Sequence, residues 1–309
     1  MTRSISSPIT RREFLGSAIA TGLMAARLAA AAAPAATAPW QIGIYTRPWA
    51  GQRDWRVALD AIAEAGYKFA GLMTTKSRTG LVISVETTLE EAAKVGEEAR
   101  KRGLAIPSVY GGNIPVRQSL QAGIEGLRKL IDNCAACGAA NLMMGGVGDA
   151  AIFDAYYKAV AECCDYAAAK KIGISVKPHG GLNATGPQCR KTIEQVGNTN
   201  FRLWYDPGNI FYYSNGELDP VADAGTVDGL VVGMSVKDYV HPKKVDVTPG
   251  TGKVDFKAVL SRLKTGGFTA GPLVVECLAP GDDAATLAEA KKARTFVEEL
   301  VGQVNLCRP

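Results

Sequence analysis

The stretch Ile172–Gly181, IGISVKPHGG, has the form of a short apolar strand that stops abruptly at Lys177, followed by His179 and two glycines. An alanine-rich helical pattern, YKAVAECCDYAAAKKIG, leads into it, and another short apolar run, RLWYD, comes next. The same alternation recurs in both directions along the chain. Strands are expected at Gln41–Tyr45, Phe69–Met73, Leu104–Val109, Asn141–Gly145, Gly173–Lys177, Arg202–Asp206, Leu230–Lys237 and Leu273–Glu276. Between and after them lie amphipathic patterns such as ALDAIAEAG, LEEAAKVGEEARKRG, GIEGLRKLIDNCAACG, FKAVLSRLKTGG and AEAKKARTFVEELVG. Several end in Lys or Arg and then Gly, a usual helix stop. Eight such units with no Gly/Ser-rich linker predict an α/β chain folded as one (β/α)8 barrel. The competing architecture is an open doubly wound sheet. GGVGD at 145–149 lacks the G-x-G-x-x-G spacing that would favour a dinucleotide fold.

The first 38 residues are set apart from the barrel. Thr10-Arg11-Arg12-Glu13-Phe14-Leu15 places paired arginines ahead of a weakly apolar, alanine-rich run from Gly16 to Ala33. This pattern predicts a Tat export signal over residues 1–38, a barrel over 39–309, and a periplasmic or otherwise exported location. Removing the signal takes away Arg3, Arg11, Arg12, Arg27 and Glu13, leaving 31 basic and 29 acidic residues, a net charge of +2. The basic character therefore owes much to the signal, and nothing argues for a nucleic-acid partner. No later apolar run is long enough to span a bilayer, so no membrane partner is expected once the signal is gone. A homo-oligomer is allowed but not specified.

Cys134 and Cys137 form a C-x-x-C in LIDNCAACGAANL, in the last turn of a helical pattern closed by Gly138. A redox pair would normally open a helix, so the seven cysteines read as mostly core residues rather than a disulfide framework.

In a barrel of this kind, chemistry gathers where the strands end. The expected strand ends carry Tyr45 and Arg47, Met73 to Lys76, Tyr110 to Asn113, Gly145 to Asp149, Lys177 and His179, Asp206 to Asn209, Ser235 to Asp238, and Glu276. His179 is one of only two histidines in the chain, which makes its place in this ring informative.

KPHGG, LWYDPGN, MSVKDY, PGTGKVDF and LVVEC, in this order and spacing, resemble the sugar phosphate isomerase/epimerase family, the xylose-isomerase-like TIM barrels. The resemblance covers Gln41 to Val301. It implies proton removal next to a sugar carbonyl, assisted by a divalent metal held by Glu, Asp, His and Glu on strands five to eight. Carried over by position, Asp206 and Glu276 match, while Lys177 replaces the first Glu and Ser235 the His. Half the ligand set is thus altered.

Two readings of this departure stand side by side. In the first, His179, Asp206 and Glu276 bind Mn²⁺, Co²⁺, Zn²⁺ or Mg²⁺, and Lys177 beside the ion loses its proton and becomes a base. In the second the metal is absent, and the Lys177 ammonium pairs with Asp206 and Glu276 and supplies the positive charge itself. The catalytic candidates are Lys177, Glu276 and Lys237; Asp206 also suits the cap of the DPGN turn. Candidate substrate contacts are Arg47, Asn113, Tyr212 and Asp238, with Trp49, Tyr213 and Thr185 as further options, and His241 on a solvated loop.

The expected partner is a small carbohydrate. A missing strand-five Glu disfavours simple ketose 3-epimerisation and shifts weight toward lysine-assisted elimination or hydration of a keto sugar. Export favours a neutral or oxidised sugar or a glycoside over a sugar phosphate, and no glycine-rich phosphate cradle is evident. A non-catalytic carbohydrate-binding barrel, and glycoside hydrolysis by Asp206 with Glu276, are the other classes in play.

Overall fold

The computed structural model describes residues 40–51 and 54–306; the expected export signal lies outside the described residues. Eight parallel strands form one sheet: β1 Gln41–Tyr45, β2 Phe69–Gly71, β3 Val109–Tyr110, β4 Asn141–Met144, β5 Gly173–Val176, β6 Phe201–Tyr205, β7 Val231–Val236 and β8 Pro272–Val275. Their order is β2-β1-β8-β7-β6-β5-β4-β3, and parallel bridges Phe69–Ala105 and Leu72–Val109 join the two ends. The expected (β/α)8 barrel is therefore closed, with consecutive strands side by side as right-handed βαβ crossovers require.

The third strand departs most from expectation. The segment from Leu104 lies in place, touching its neighbours at Phe69–Ala105 and Ile106–Ala139, but a continuous ladder forms only over Val109–Tyr110. Pro107 has no N–H to donate, so it interrupts the hydrogen bonding in mid-strand.

Nine α-helices, α1 Trp55–Glu64, α2 Leu89–Lys101, α3 Leu120–Cys137, α4 Ala150–Ala169, α5 Gly186–Val196, α6 Pro207–Tyr213, α7 Pro220–Ala224, α8 Phe256–Thr265 and α9 Asp283–Leu306, are found among the described residues. Most start as their sequence directs. Thr88 and Thr185 form capping boxes with Glu91 and Gln188, and Ser119, Asp149 and Asp255 cap α3, α4 and α8. Gly138 ends α3 in the left-handed region at φ 79°, leaving Cys134 and Cys137 as buried free thiols in its last turn. Burial raises both thiols' pKa, the opposite of what a redox pair needs. The six described cysteines are all free and buried.

The main core lies between helices and strands, while a smaller cluster of Tyr45, Met73, Met143, Trp204 and Val274 fills the barrel lumen. Strand side chains alternate in direction, so residues two further along β6 and β8 than Trp204 and Val274 point into the same lumen, one layer nearer the strand ends. Those residues are Asp206 and Glu276. The bulky rings fit because their neighbours are glycines. A Cβ on Gly71 would lie 2.3 Å from the Tyr45 ring, and one on Gly233 would lie 2.4 Å from Trp204. The lumen is thus floored by apolar rings, and the polar layer rests on top of them. No described helix is long and apolar enough to cross a membrane.

Candidate active site

The polar layer is built by four strand ends. Lys177 follows β5, Asp206 follows β6, Lys237 follows β7 and Glu276 follows β8, and each is at most 3% exposed. Lys177 Nζ lies 2.7 Å from Glu276 Oε2 and 3.1 Å from Asp206 Oδ2. Lys237 Nζ lies 2.8 Å from Glu276 Oε1 and 3.8 Å from Asp206 Oδ2. Two cations and two anions therefore alternate across the mouth of the barrel, buried where charges persist only as partners.

Glu276 is the anchor of this group. Its Oε1 accepts from Lys237 and from Arg47 Nη1 at 3.0 Å, and its Oε2 from Lys177 and from Ser235 Oγ at 2.9 Å. Ser235 in turn accepts a bond from Trp204 Nε1 at 3.3 Å, which ties the polar layer to the floor beneath. Burial alone would raise the Glu276 pKa, but Lys177, Lys237 and Arg47 outweigh it and hold the carboxyl well below its usual range. For Lys237, burial works to lower the pKa, and the charges of Glu276 and Asp206 prevail and raise it.

Asp206 differs. Oδ1 accepts Asn209 N–H at 2.9 Å, capping α6, so the expected turn-capping role is present. Oδ2 is buried, and no donor is oriented to hydrogen-bond it. The Lys177 ammonium is close enough for an ion pair, but its well-directed bond goes to Glu276. Burial, aided by the Glu276 charge, raises the Asp206 pKa despite the two lysines. Two neighbouring carboxyls are thus pushed in opposite directions, a pattern that separates an acid–base group from a fixed counter-ion.

Asn209 was not singled out by sequence reasoning as a site residue. Its amide donates to Pro178 O at 2.6 Å and accepts from Lys237 Nζ at 2.9 Å, fixing the KPHGG loop and one ammonium together. Its position one turn into the DPGN cap was the available signal.

His179 does not join the two carboxylates. Its ring sits between Tyr110 and Tyr213, with centroids 6.4 and 5.7 Å away, and the residue is exposed to solvent. Partial enclosure, then the charges of Lys177 and Lys237, lower its pKa, so the imidazole is neutral. Tyr110 feels the charges of Glu276 and Lys237, and Tyr213 those of Lys237 and Asp206, so these rings border the same polar layer.

The residues present do not fit a divalent cation. Among the described residues, no group of three or more His, Cys, Asp and Glu side chains is arranged to hold a metal ion. Three of the four oxygens of Asp206 and Glu276 already accept hydrogen bonds from cationic, hydroxyl or backbone donors. The expected set of His179, Asp206 and Glu276 is not brought together as a ligand group; instead Lys177 and Lys237 each pair with both carboxylates. Ion pairs with both carboxylates likewise replace the neighbouring metal on which a basic Lys177 depended.

The remaining candidates are dispersed. Arg47 reaches the layer through Glu276 and also bonds Asp246 Oδ1 through Nη2 at 3.2 Å. Asp238, expected to touch substrate, is committed to the backbone instead. Its two oxygens accept N–H bonds from Tyr239, Gly250, Gly252 and Val254, which folds the 239–254 loop. Tyr212 packs edge-on against Tyr213, 5.0 Å between centroids, with the Lys243 ammonium over its ring. Asn113 is exposed after β3, Trp49 is buried in the core, and Thr185 caps α5. His241 is exposed and meets Tyr239 Oη at 3.3 Å. Asp206 and Glu276 share one ammonium rather than facing each other across a cleft, which disfavours a glycosidase pair. A groove of about 1060 Å³ between α2 and the 75–87 loop lies away from this constellation.

Residues 59–299 match the xylose isomerase-like TIM barrel family. A probable L-ribulose-5-phosphate 3-epimerase of Mycoplasma pneumoniae is 28% identical over 116 residues, covering 36% of this chain and 37% of that protein. The xylose isomerase domain protein of Planctomyces limnophilus superimposes with a TM-score of 0.68 at 18% identity, over 87% of this chain and all of the other. A D-psicose 3-epimerase structure determined in the presence of D-fructose gives 0.67 at 14% identity, over 85% and 99%. At these identities the structural likenesses speak for the fold, and the family match spans most of the sequence: the chain belongs to the xylose isomerase-like TIM barrels.

Proposed function

We propose that this protein removes a proton from the carbon next to the carbonyl of a sugar or keto sugar, as an isomerase or epimerase or as the first step of a β-elimination or hydration. The observation that carries this reading is the buried alternation of Lys177, Asp206, Lys237 and Glu276 at the ends of four successive barrel strands. Removing such a proton places negative charge on the carbonyl oxygen. Two fixed ammonium groups in a site of low polarisability stabilise that charge without reorganising. Asp206 is the proton carrier, because Oδ2 lacks a hydrogen-bond donor and the site favours its uptake of a proton. Glu276 holds the lysines in place. Tyr110, His179 and Tyr213 supply ring faces on which a sugar can lie.

The test is deuterium incorporation from D₂O into a panel of keto sugars and oxidised glycosides, followed by NMR. Exchange at the carbon next to the carbonyl, lost in Asp206→Asn, is expected. Absence of exchange across the panel would sink the proposal. The near-complete burial of the four charged groups favours a second reading, a carbohydrate-binding barrel in which they serve only as a structural ion cluster. Saturable sugar binding without exchange is its signature.

A further inference from the structure

The charges around the polar layer are uneven. Lys177, Lys237 and Arg47 bring three positive charges to the two carboxylates of Asp206 and Glu276. The balance is completed by Asp246, whose side chain is 65% exposed and bonds only the outer nitrogen of Arg47. The inner nitrogen of the same guanidinium is fixed on Glu276, which is 2% exposed. Arg47 is thus oriented by a buried partner and capped by a surface one.

These two halves differ greatly in strength. An exposed ion pair is weak and screened, whereas the buried one is rigid. When a ligand covers the mouth and excludes water, the excess positive charge becomes more costly unless a negative group stays beside it. A guanidinium held flat by Glu276 presents its outer N–H groups in the planar fork that suits a carboxylate, and Asp246 shows that a carboxylate fits there. Neutral His179, on the aromatic side of the mouth, offers no competing charge.

We infer that the preferred ligand is a sugar acid, whose carboxylate displaces Asp246 and takes its place on Arg47 while the sugar ring lies against Tyr110, His179 and Tyr213. The inference rests on the proposed function only for the location of the sugar; it names the substrate class and can be read from binding alone.

The test is calorimetric titration of the protein with glucuronate, galacturonate and gluconate, against glucose, galactose and glucose 6-phosphate. At least one sugar acid is expected to bind about tenfold or more tighter than its neutral counterpart, the range for one hydrogen bond to a charged group. Arg47→Gln should remove that preference. Asp246→Asn, a change at an exposed position, should tighten sugar-acid binding several-fold and leave neutral sugars unchanged. Equal affinity for acids and neutral sugars overturns the inference, as do no detectable binding of any sugar acid, a preference that survives Arg47→Gln, and an equal gain for glucose 6-phosphate. Sugar-acid preference without proton exchange on any keto sugar would remove the proposed catalysis and leave this inference standing. Exchange on neutral keto sugars with no acid preference would do the reverse.

Discussion

Lys177 Nζ sits between two carboxylates, 2.7 Å from Glu276 Oε2 and 3.1 Å from Asp206 Oδ2, at the strand-five position where the family resemblance implies a metal-binding glutamate. A positive side chain has replaced a negative one. The layer around it carries a second ammonium, Lys237, and the Arg47 guanidinium on the same Glu276 carboxylate.

Glu276→Gln should unfold more easily than its small change in shape suggests. The amide cannot balance Lys177, Lys237 and Arg47, and breaking a buried pair by removing one partner costs about 3–5 kcal/mol. Denaturant unfolding reads this directly. A loss below about 1 kcal/mol would mean that water or a counter-ion already screens the cluster.

Asp206→Asn should behave oppositely. The site already raises the Asp206 pKa, so a neutral side chain there is less costly, and Asn remains a good N-cap for α6. Stability should fall less than in Glu276→Gln, while proton exchange falls by about 10²-fold or more. Wild-type exchange in Asp206→Asn would transfer the proton-carrying role elsewhere.

The pH dependence of stability follows from the two opposite shifts. The folded pKa of Glu276 is depressed, so its contribution is fully present above its usual 4.5 and is lost as pH falls through the lower folded value. The folded pKa of Lys237 is raised, so its contribution is fully present below its usual 10.5 and is lost as pH rises through the higher folded value. The stability gap between the wild type and Glu276→Gln should therefore stay level from pH 5 to 9 and close on the acid side, as seen in paired thermal melts. A gap that closes near neutral pH would contradict these assignments.

Gly71→Ala should destabilise the barrel by about 1–3 kcal/mol, the usual cost of overpacking, because its methyl would enter the Tyr45 ring. Tyr45→Leu in the same chain should restore part of the loss. A neutral Gly71→Ala would show that the lumen has room to relax.

Much of this was legible in the sequence. Strand ends carrying Lys177, Asp206, Lys237 and Glu276 are marked by an ionisable group closing an apolar run, and period-two alternation then puts all four in one lumen. The break in the third strand went unread, although Pro107 was there to mark it. What could not be read locally was partnership. Asp238 follows Lys237 directly, yet its carboxylate turns to backbone donors 12 to 16 residues ahead. Nothing near Arg47 announces that it reaches Glu276 across 229 residues, or that Asp246 meets its other nitrogen. The metal expectation shared this limit. It followed the residue types at strand ends, while the outcome turned on which charges lie within 3 Å or so of one another.

The central claim is that Lys177 and Lys237, rather than a metal ion, supply the positive charge at the reacting oxygen. The most direct measurement is deuterium exchange into the best keto-sugar substrate after exhaustive chelation, for the wild type and for Lys177→Met. The account predicts undiminished exchange in the chelated wild type, no gain from added Mn²⁺ or Co²⁺, and loss of exchange in Lys177→Met. Exchange that disappears on chelation and returns with Mn²⁺ would contradict it.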